Sequence, residues 1–386
     1  MPEIKSNAFT GRLAASAGHK VTFVELFFDL VFVFALTGIT WSLHHDLTWV
    51  GLFRATLVFW MIWWAWTQFT WALNPTNTEN PMVRSIVLLA TSVAFIMSTA
   101  VHDAFDSGAI WFVVPYVLVR SIGLGLYWWV SSEGGVQRSA IRMFASISIF
   151  GMIAVIAGGL ADPELRLWLW LLAIAFDFVA GIVAGRHPGW SLNTSRFIER
   201  HGLIVIIALG ESLIVTGVGA VDHPRTSFLV ALAVSAVIIT CLLWWTYFGW
   251  FNKAVEERLA AMDPAESGGV ASEAFSFLHF PLLAGIIGIA VGYETMVAHP
   301  HQPIYTSVFI AYTAGLFLFI GSTAASWYRS TGNILYARLI LLILTVVALT
   351  LVRNQEPAFL IIVSIGGVLA INIYEYFNPP NHANKT

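Results

Sequence analysis

Long apolar runs, each closed by a short polar or turn-forming break, dominate the chain. Twelve can be marked: residues 22–42, 50–73, 83–101, 109–130, 141–160, 166–185, 201–220, 226–250, 274–293, 304–326, 334–352 and 357–377. Each is long enough for a helix across a hydrocarbon layer of about 30 Å. The breaks carry their own signals, such as Asn74-Pro75, Ala161-Asp162-Pro163 and Arg186-His187-Pro188-Gly189. The predicted fold is therefore all-α: a polytopic transmembrane helical bundle of about 12 spans, the number that the pattern supports.

Composition strengthens this. Of 386 residues, 58% are hydrophobic and only 11% are charged, against about 25% in soluble domains. The mean hydropathy is +0.77. A single cysteine, Cys241, excludes an internal disulfide and any cysteine-rich metal site. The polar segment 1–20 reads as a cytoplasmic leader ahead of a first run too long for a signal-peptide core.

Lys and Arg set the expected orientation. With an even number of spans and the N-terminus inside, Lys5, Arg12, Lys20, Arg84, Arg138, Arg142, Arg186, Arg196, Arg200, Lys253, Arg258, Arg329, Arg338 and Lys385 face the cytoplasm. Arg54, Arg166, Arg225 and Arg353 face outward. That asymmetry predicts two cytoplasmic termini. The spread of basic residues also makes nucleic-acid binding a poor fit.

The halves of the chain repeat features in the same order. Trp63-Trp64 followed by Thr67 and Phe69 matches Trp244-Trp245 followed by Thr246 and Phe248. Nearly the same offset lays Asp29 on Glu211, and the third run ends in His102-Asp103 as the ninth ends in Tyr293-Glu294. Two six-helix halves in parallel orientation follow as an expectation, at residues 21–185 and 201–377. Residues 186–200 would link them, and 378–386 would form a cytoplasmic tail.

Ionisable residues within apolar runs are costly and mark candidate chemistry. Glu25 and Asp29 stand four apart, on one helical face. At about 1.5 Å per residue, Glu25 lies about 5 Å, Asp29 about 10 Å and Glu211 about 15 Å into their spans. Arg120 and Asp177 fall near the middles of theirs. Arg120 requires a counter-charge, for which Asp29, Asp177 and Glu211 compete. An acid left over suits a proton relay or cation site, whereas a paired one locks helices together. Gln68, in a run that also holds Trp60, Trp63, Trp64, Trp66 and Trp71, is a neighbour for such a cavity. The tryptophans suit packing first and stacking on a flat or cationic ligand second. Near the cytoplasmic end, His19, Glu25, Glu199, Arg200 and His201 make a candidate gate. No His/carboxylate spacing of a known metal motif occurs. His279, before Pro281, lines a cavity or is simply packed.

VELFFDLVFVFAL (24–36), the Trp-Trp pair of the second run and FIERHGLIVIIALGESLI (197–214) together resemble the low temperature requirement A family of bacterial membrane proteins, over essentially the whole chain. The family's recurring acidic positions match Glu25, Asp29, Glu199 and Glu211, alongside Arg200, His201 and Gly202. The resemblance implies an inner-membrane protein named for a cold-growth phenotype, and leaves the activity to be read from the residues.

Three functions compete. A secondary transporter of a small solute or ion, coupled through carboxylates to protons or cations, uses the midplane charges best. A membrane-embedded enzyme, or a lipid- or cofactor-binding protein, would use Glu25, Glu199 and His201 at one face, with no cofactor specified. No Walker or Rossmann glycine motif supports nucleotide chemistry, and no filter-like loop supports a channel. The sequence allows a homodimer without specifying one, and names the lipid bilayer as a partner.

Overall fold

The computed structural model describes residues 13, 15, 20–131, 135–187, 192–221 and 226–380. His19 lies outside them. Fourteen α-helices occur among the described residues: α1 (Phe23–His45), α2 (Trp49–Leu73), α3 (Pro81–Thr99), α4 (Ala109–Val130), α5 (Gly135–Leu160), α6 (Pro163–Gly185), α7 (Thr194–Val221), α8 (Ser227–Phe248), α9 (Phe251–Ala260), α10 (Pro264–Ala271), α11 (His279–Ala298), α12 (Thr306–Thr331), α13 (Tyr336–Leu351) and α14 (Pro357–Phe377). A π-helical turn, Ser272–Phe277, sits between α10 and α11. No sheet occurs among the described residues.

Eleven stretches of helix among these residues are long and apolar enough to cross a membrane. The remaining expected span, the run 334–352, is α13, a shorter apolar helix of 16 residues, about 24 Å long. The fold is an all-α membrane-spanning bundle.

The breaks seen in the sequence act as caps. The Asn80 side chain accepts from the backbone N–H groups of Met82 and Val83, with Pro81 opening α3. Asp162 accepts from Glu164 and Leu165, with Pro163 opening α6. Proline fits these first positions because its missing N–H has no helical partner there. Pro281 stands in the first turn of α11, inside the apolar helical stretch Glu266–Ala298. The preceding stretch 251–273, left outside the expected spans, forms α9, α10 and the start of the π turn.

The helices group into two compact units. The first contains α1 to Ser42, α2–α6, α7 to Ile204, and α10. Within it, α3–α4, α4–α5, α5–α6 and α6–α10 pack together. Its most enclosed helix is α2, buried without interruption from Leu57 to Thr70. The tryptophans there are spent on packing: Trp60 stacks on Trp64 and on Phe178, and Trp63 stacks on Trp66.

The second unit contains the rest of α7, α8, α9 and α11–α14. Its tightest contact joins α11 to α12. A Cβ on Gly288 would lie 2.5 Å from the Ala311 carbonyl oxygen, and one on Gly285 would lie 2.6 Å from that of Gly315. Only glycine permits backbones to approach so closely. Trp244 and Trp245 are 43% and 50% exposed, unlike the buried Trp63 and Trp64 to which they correspond in sequence.

Candidate functional site

Three buried networks tie arginine to acid, two in the first unit and one in the second. In the first, α1 presents Glu25 and Asp29 four residues apart, and α7 presents Arg196 and Arg200 with the same spacing. The two helices therefore mesh charge against charge. Arg196 Nη2 donates to Glu25 Oε1 at 2.6 Å. Arg200 Nη2 donates to Asp29 Oδ1 at 2.7 Å, and its Nε lies 3.3 Å from both Asp29 oxygens. Trp66, on α2, donates its indole N–H to Asp29 at 2.7 Å. Both acids are fully buried, and the two arginines nearly so.

Arg196 also fastens the connection between α2 and α3. Its Nη1 donates to the carbonyls of Asn74 and Thr76, and its Nη2 to the Thr78 hydroxyl. The Thr22 and Thr78 hydroxyls share Glu25 Oε1, each at 3.0 Å. The cluster holds two positive and two negative side chains, so it can sit in hydrocarbon without net charge. Its pairing is nonetheless incomplete. Among the described residues Glu25 Oε2, Arg196 Nε and Arg200 Nη1 have no hydrogen-bond partner. Arg200 Nη1 and Glu25 Oε2 face each other at 3.6 Å, an ion pair longer than a hydrogen bond.

The second network answers the competition for Arg120 in favour of Asp177. Arg120 Nη2 donates to Asp177 Oδ1 at 3.0 Å and Nη1 to Oδ2 at 3.4 Å. Nη1 also donates to the Tyr116 hydroxyl at 2.7 Å, and Nε to Gln68 Oε1. Gln68 returns a bond from Nε2 to the Arg120 carbonyl at 2.7 Å. The Trp60 side chain also interacts with Asp177. No atom of Arg120, Asp177 or Gln68 is left unpaired.

The third network was missed from sequence. Arg338 forks onto Glu375, with Nε to Oε1 at 2.7 Å and Nη2 to Oε2 at 2.6 Å. Thr323 accepts from Arg338 Nη1 and Trp250 donates to Glu375 Oε2. In the same unit, His279 stacks on Phe275, with its Nδ1 3.0 Å from the Ala274 carbonyl oxygen. A carbonyl can only accept, so Nδ1 carries the proton and Nε2 accepts from the Tyr247 hydroxyl at 2.8 Å.

The remaining candidates separate. Glu199 is exposed and takes no part in the arginine pairing, with its carboxylate 3.4 Å from the Val21 N–H. His201 is buried, bonded to the Phe197 carbonyl and set edge-on to Trp66. Glu211 is half-buried and belongs to the second unit, whereas Asp29 belongs to the first. Asp29 has Arg200 as its partner, a residue assigned from sequence to topology and the gate. Arg196 and Arg338 likewise prove to be buried ion-pair members rather than loop charges. Arg166, expected on an outer surface, is buried and donates to the carbonyls of Ala104, Asp106, Gly158 and Ala161. Among the described residues no three His, Cys, Asp or Glu side chains are grouped to hold a metal ion.

Comparison with known proteins gives this arrangement a family. The model of the bacterial low temperature requirement A protein matches residues 20–373, which take in the first two networks and all of the third except Glu375. The chain belongs to the low temperature requirement A family. An uncharacterized protein of Rhizobium meliloti (strain 1021) is 30% identical over 315 residues, covering 79% of this chain and 76% of the relative. No solved structure matches. A multi-pass bundle from this bacterial family is consistent with residence in the inner membrane.

Proposed function

We propose that this low temperature requirement A protein is a secondary transporter of a small solute or ion, coupled to protons through its intramembrane carboxylates. The observation that carries the reading is the incomplete pairing of the Glu25, Asp29, Arg196 and Arg200 cluster. A carboxylate held by arginine in a buried site can exchange that partner only by taking up a proton, which links proton movement to a change of contacts. Asp29 and Arg200 are the coupling pair in this proposal. Glu25, Arg196 and the 74–80 connection close the cytoplasmic side, with both termini cytoplasmic. Gln68, Arg120 and Asp177 brace the helices behind them, and Glu211 serves the second of two six-helix halves.

The test is proton movement in proteoliposomes that enclose a pH-sensitive dye. Sugars, amino acids, organic acids and inorganic ions are added one class at a time. At least one class is expected to shift internal pH with the wild type, and Asp29→Asn is expected to abolish the shift. Folded protein that moves no protons with any class overturns the proposal.

A further inference from the structure

The charge count in the first cluster restricts what can bind there. At rest Glu25 and Asp29 balance Arg196 and Arg200. When Asp29 takes a proton, its negative charge disappears and Arg200 is left positive in a buried site. The species that restores neutrality is a monoanion. A cation would add to the excess, and a dianion would overshoot it.

Geometry narrows the class further. Arg200 holds Asp29 side-on through Nε and Nη2, the planar fork that suits a carboxylate. The Phe28 and Trp66 rings flank the guanidinium, each with its centroid 5.7 Å from Cζ. Arg196 Nε and Arg200 Nη1 are buried donors with no hydrogen-bond partner among the described residues, and both belong to the same two turns of α7. Donors in such a place are expected to have an acceptor in some state of the protein.

We propose that Arg200, assisted by Arg196, is the receptor for the carboxylate of a small organic monoanion with an apolar body, and that Asp29 is its tethered competitor. This rests on the transport reading and names its substrate class. The exchange balances: one proton from water converts the Asp29 carboxylate to the acid, and one ligand carboxylate replaces it on the guanidinium. No net charge crosses with the pair. The groups facing Asp29 are Arg200 and Trp66 from neighbouring helices and Glu25 on its own helix; His201 lies against the Trp66 ring.

The experiment uses the purified full chain in lipid nanodiscs and three probes of one shape: benzoate, benzyl alcohol and benzylammonium. Binding is followed by calorimetry and by thermal unfolding at fixed pH and ionic strength. Benzoate is expected to bind the wild type and raise its Tm, with no effect from the other two. Asp29→Asn mimics the protonated acid and removes the competitor, so benzoate should bind about tenfold or more tightly to it. Arg200→Gln should lose binding. Benzyl alcohol matching benzoate, or no gain in Asp29→Asn, overturns the proposal. If Asp29→Asn does not fold, the wild-type comparison of benzoate with benzyl alcohol decides. Benzylammonium binding with Asp29-dependent proton movement would refute the anion site and keep the transport reading. Benzoate binding with no solute-linked proton movement would do the reverse.

Discussion

Removing one partner of the Arg338–Glu375 pair should cost far more than removing both. Glu375 accepts three short bonds, two from Arg338 and one from Trp250. Arg338 is 1% exposed, so Glu375→Gln leaves a guanidinium charge in a place that water does not reach. Breaking a buried pair in this way costs about 3–5 kcal/mol. Changing Arg338 and Glu375 together to Leu removes the charge as well as the bond. What remains is the lost Trp250 contact, worth about 1 kcal/mol, because Thr323 keeps its bond to the Ile320 carbonyl. The double variant should therefore be more stable than either single leucine change, and the cycle should return a coupling energy of about 5 kcal/mol or more, from single costs of about 3 kcal/mol each against about 1 kcal/mol for the double. Reversible unfolding in mixed micelles measures all four proteins. A double variant as unstable as the two single changes added together would refute the reasoning.

The glycines at the α11–α12 crossing offer a sharper steric contrast. Gly288→Val should destabilise by about 1–3 kcal/mol, because the added carbon meets backbone, which cannot rotate away. Gly366→Ala, with open space around its Cβ, should be neutral or stabilising by up to about 1 kcal/mol in the same melts. Arg166→Ala releases four carbonyls at the ends of α3–α4 and α5–α6 connections. It should speed proteolysis near Ala104 and Ala161 before it lowers Tm.

Much of the fold was legible because a membrane makes helices of long apolar runs and places turn residues between them. Asp162, in a break marked from the sequence, caps α6. The segment after α8 was not legible in the same way: its short helices and π turn follow local packing rather than hydropathy. The site was half legible. Arg120 had to find an acid, but the choice of Asp177 over Asp29 depends on which helices are neighbours, which no single-helix pattern encodes. A signal for the other pairing was present in the matched spacing of Glu25/Asp29 and Arg196/Arg200. It was hidden by assigning every arginine near a span end to topology. An arginine at the first turns of a helix can serve as an orientation signal or turn inward to an acid, and composition does not separate the two. Arg338 was passed over for the same reason.

The three networks look alike in composition and differ in completeness, and that difference sets how each should respond to loss of its acid. Arg120–Asp177 and Arg338–Glu375 leave none of their own atoms unpaired, whereas the Glu25–Asp29–Arg196–Arg200 cluster leaves three. A closed network has its donors committed to several helices at once, so removing its acid leaves strained neighbours and little access for a replacement. Asp177→Asn should lower stability by about 3 kcal/mol, and benzoate should not restore it. Asp29→Asn leaves an arginine whose fork is free and whose adjacent donors are unengaged, so benzoate should restore much of the loss. The melts are run in parallel with benzyl alcohol as the neutral control. Equal rescue of both variants by benzoate would mean that any buried arginine stripped of its acid recruits an anion, and the distinction between lock and site would fall.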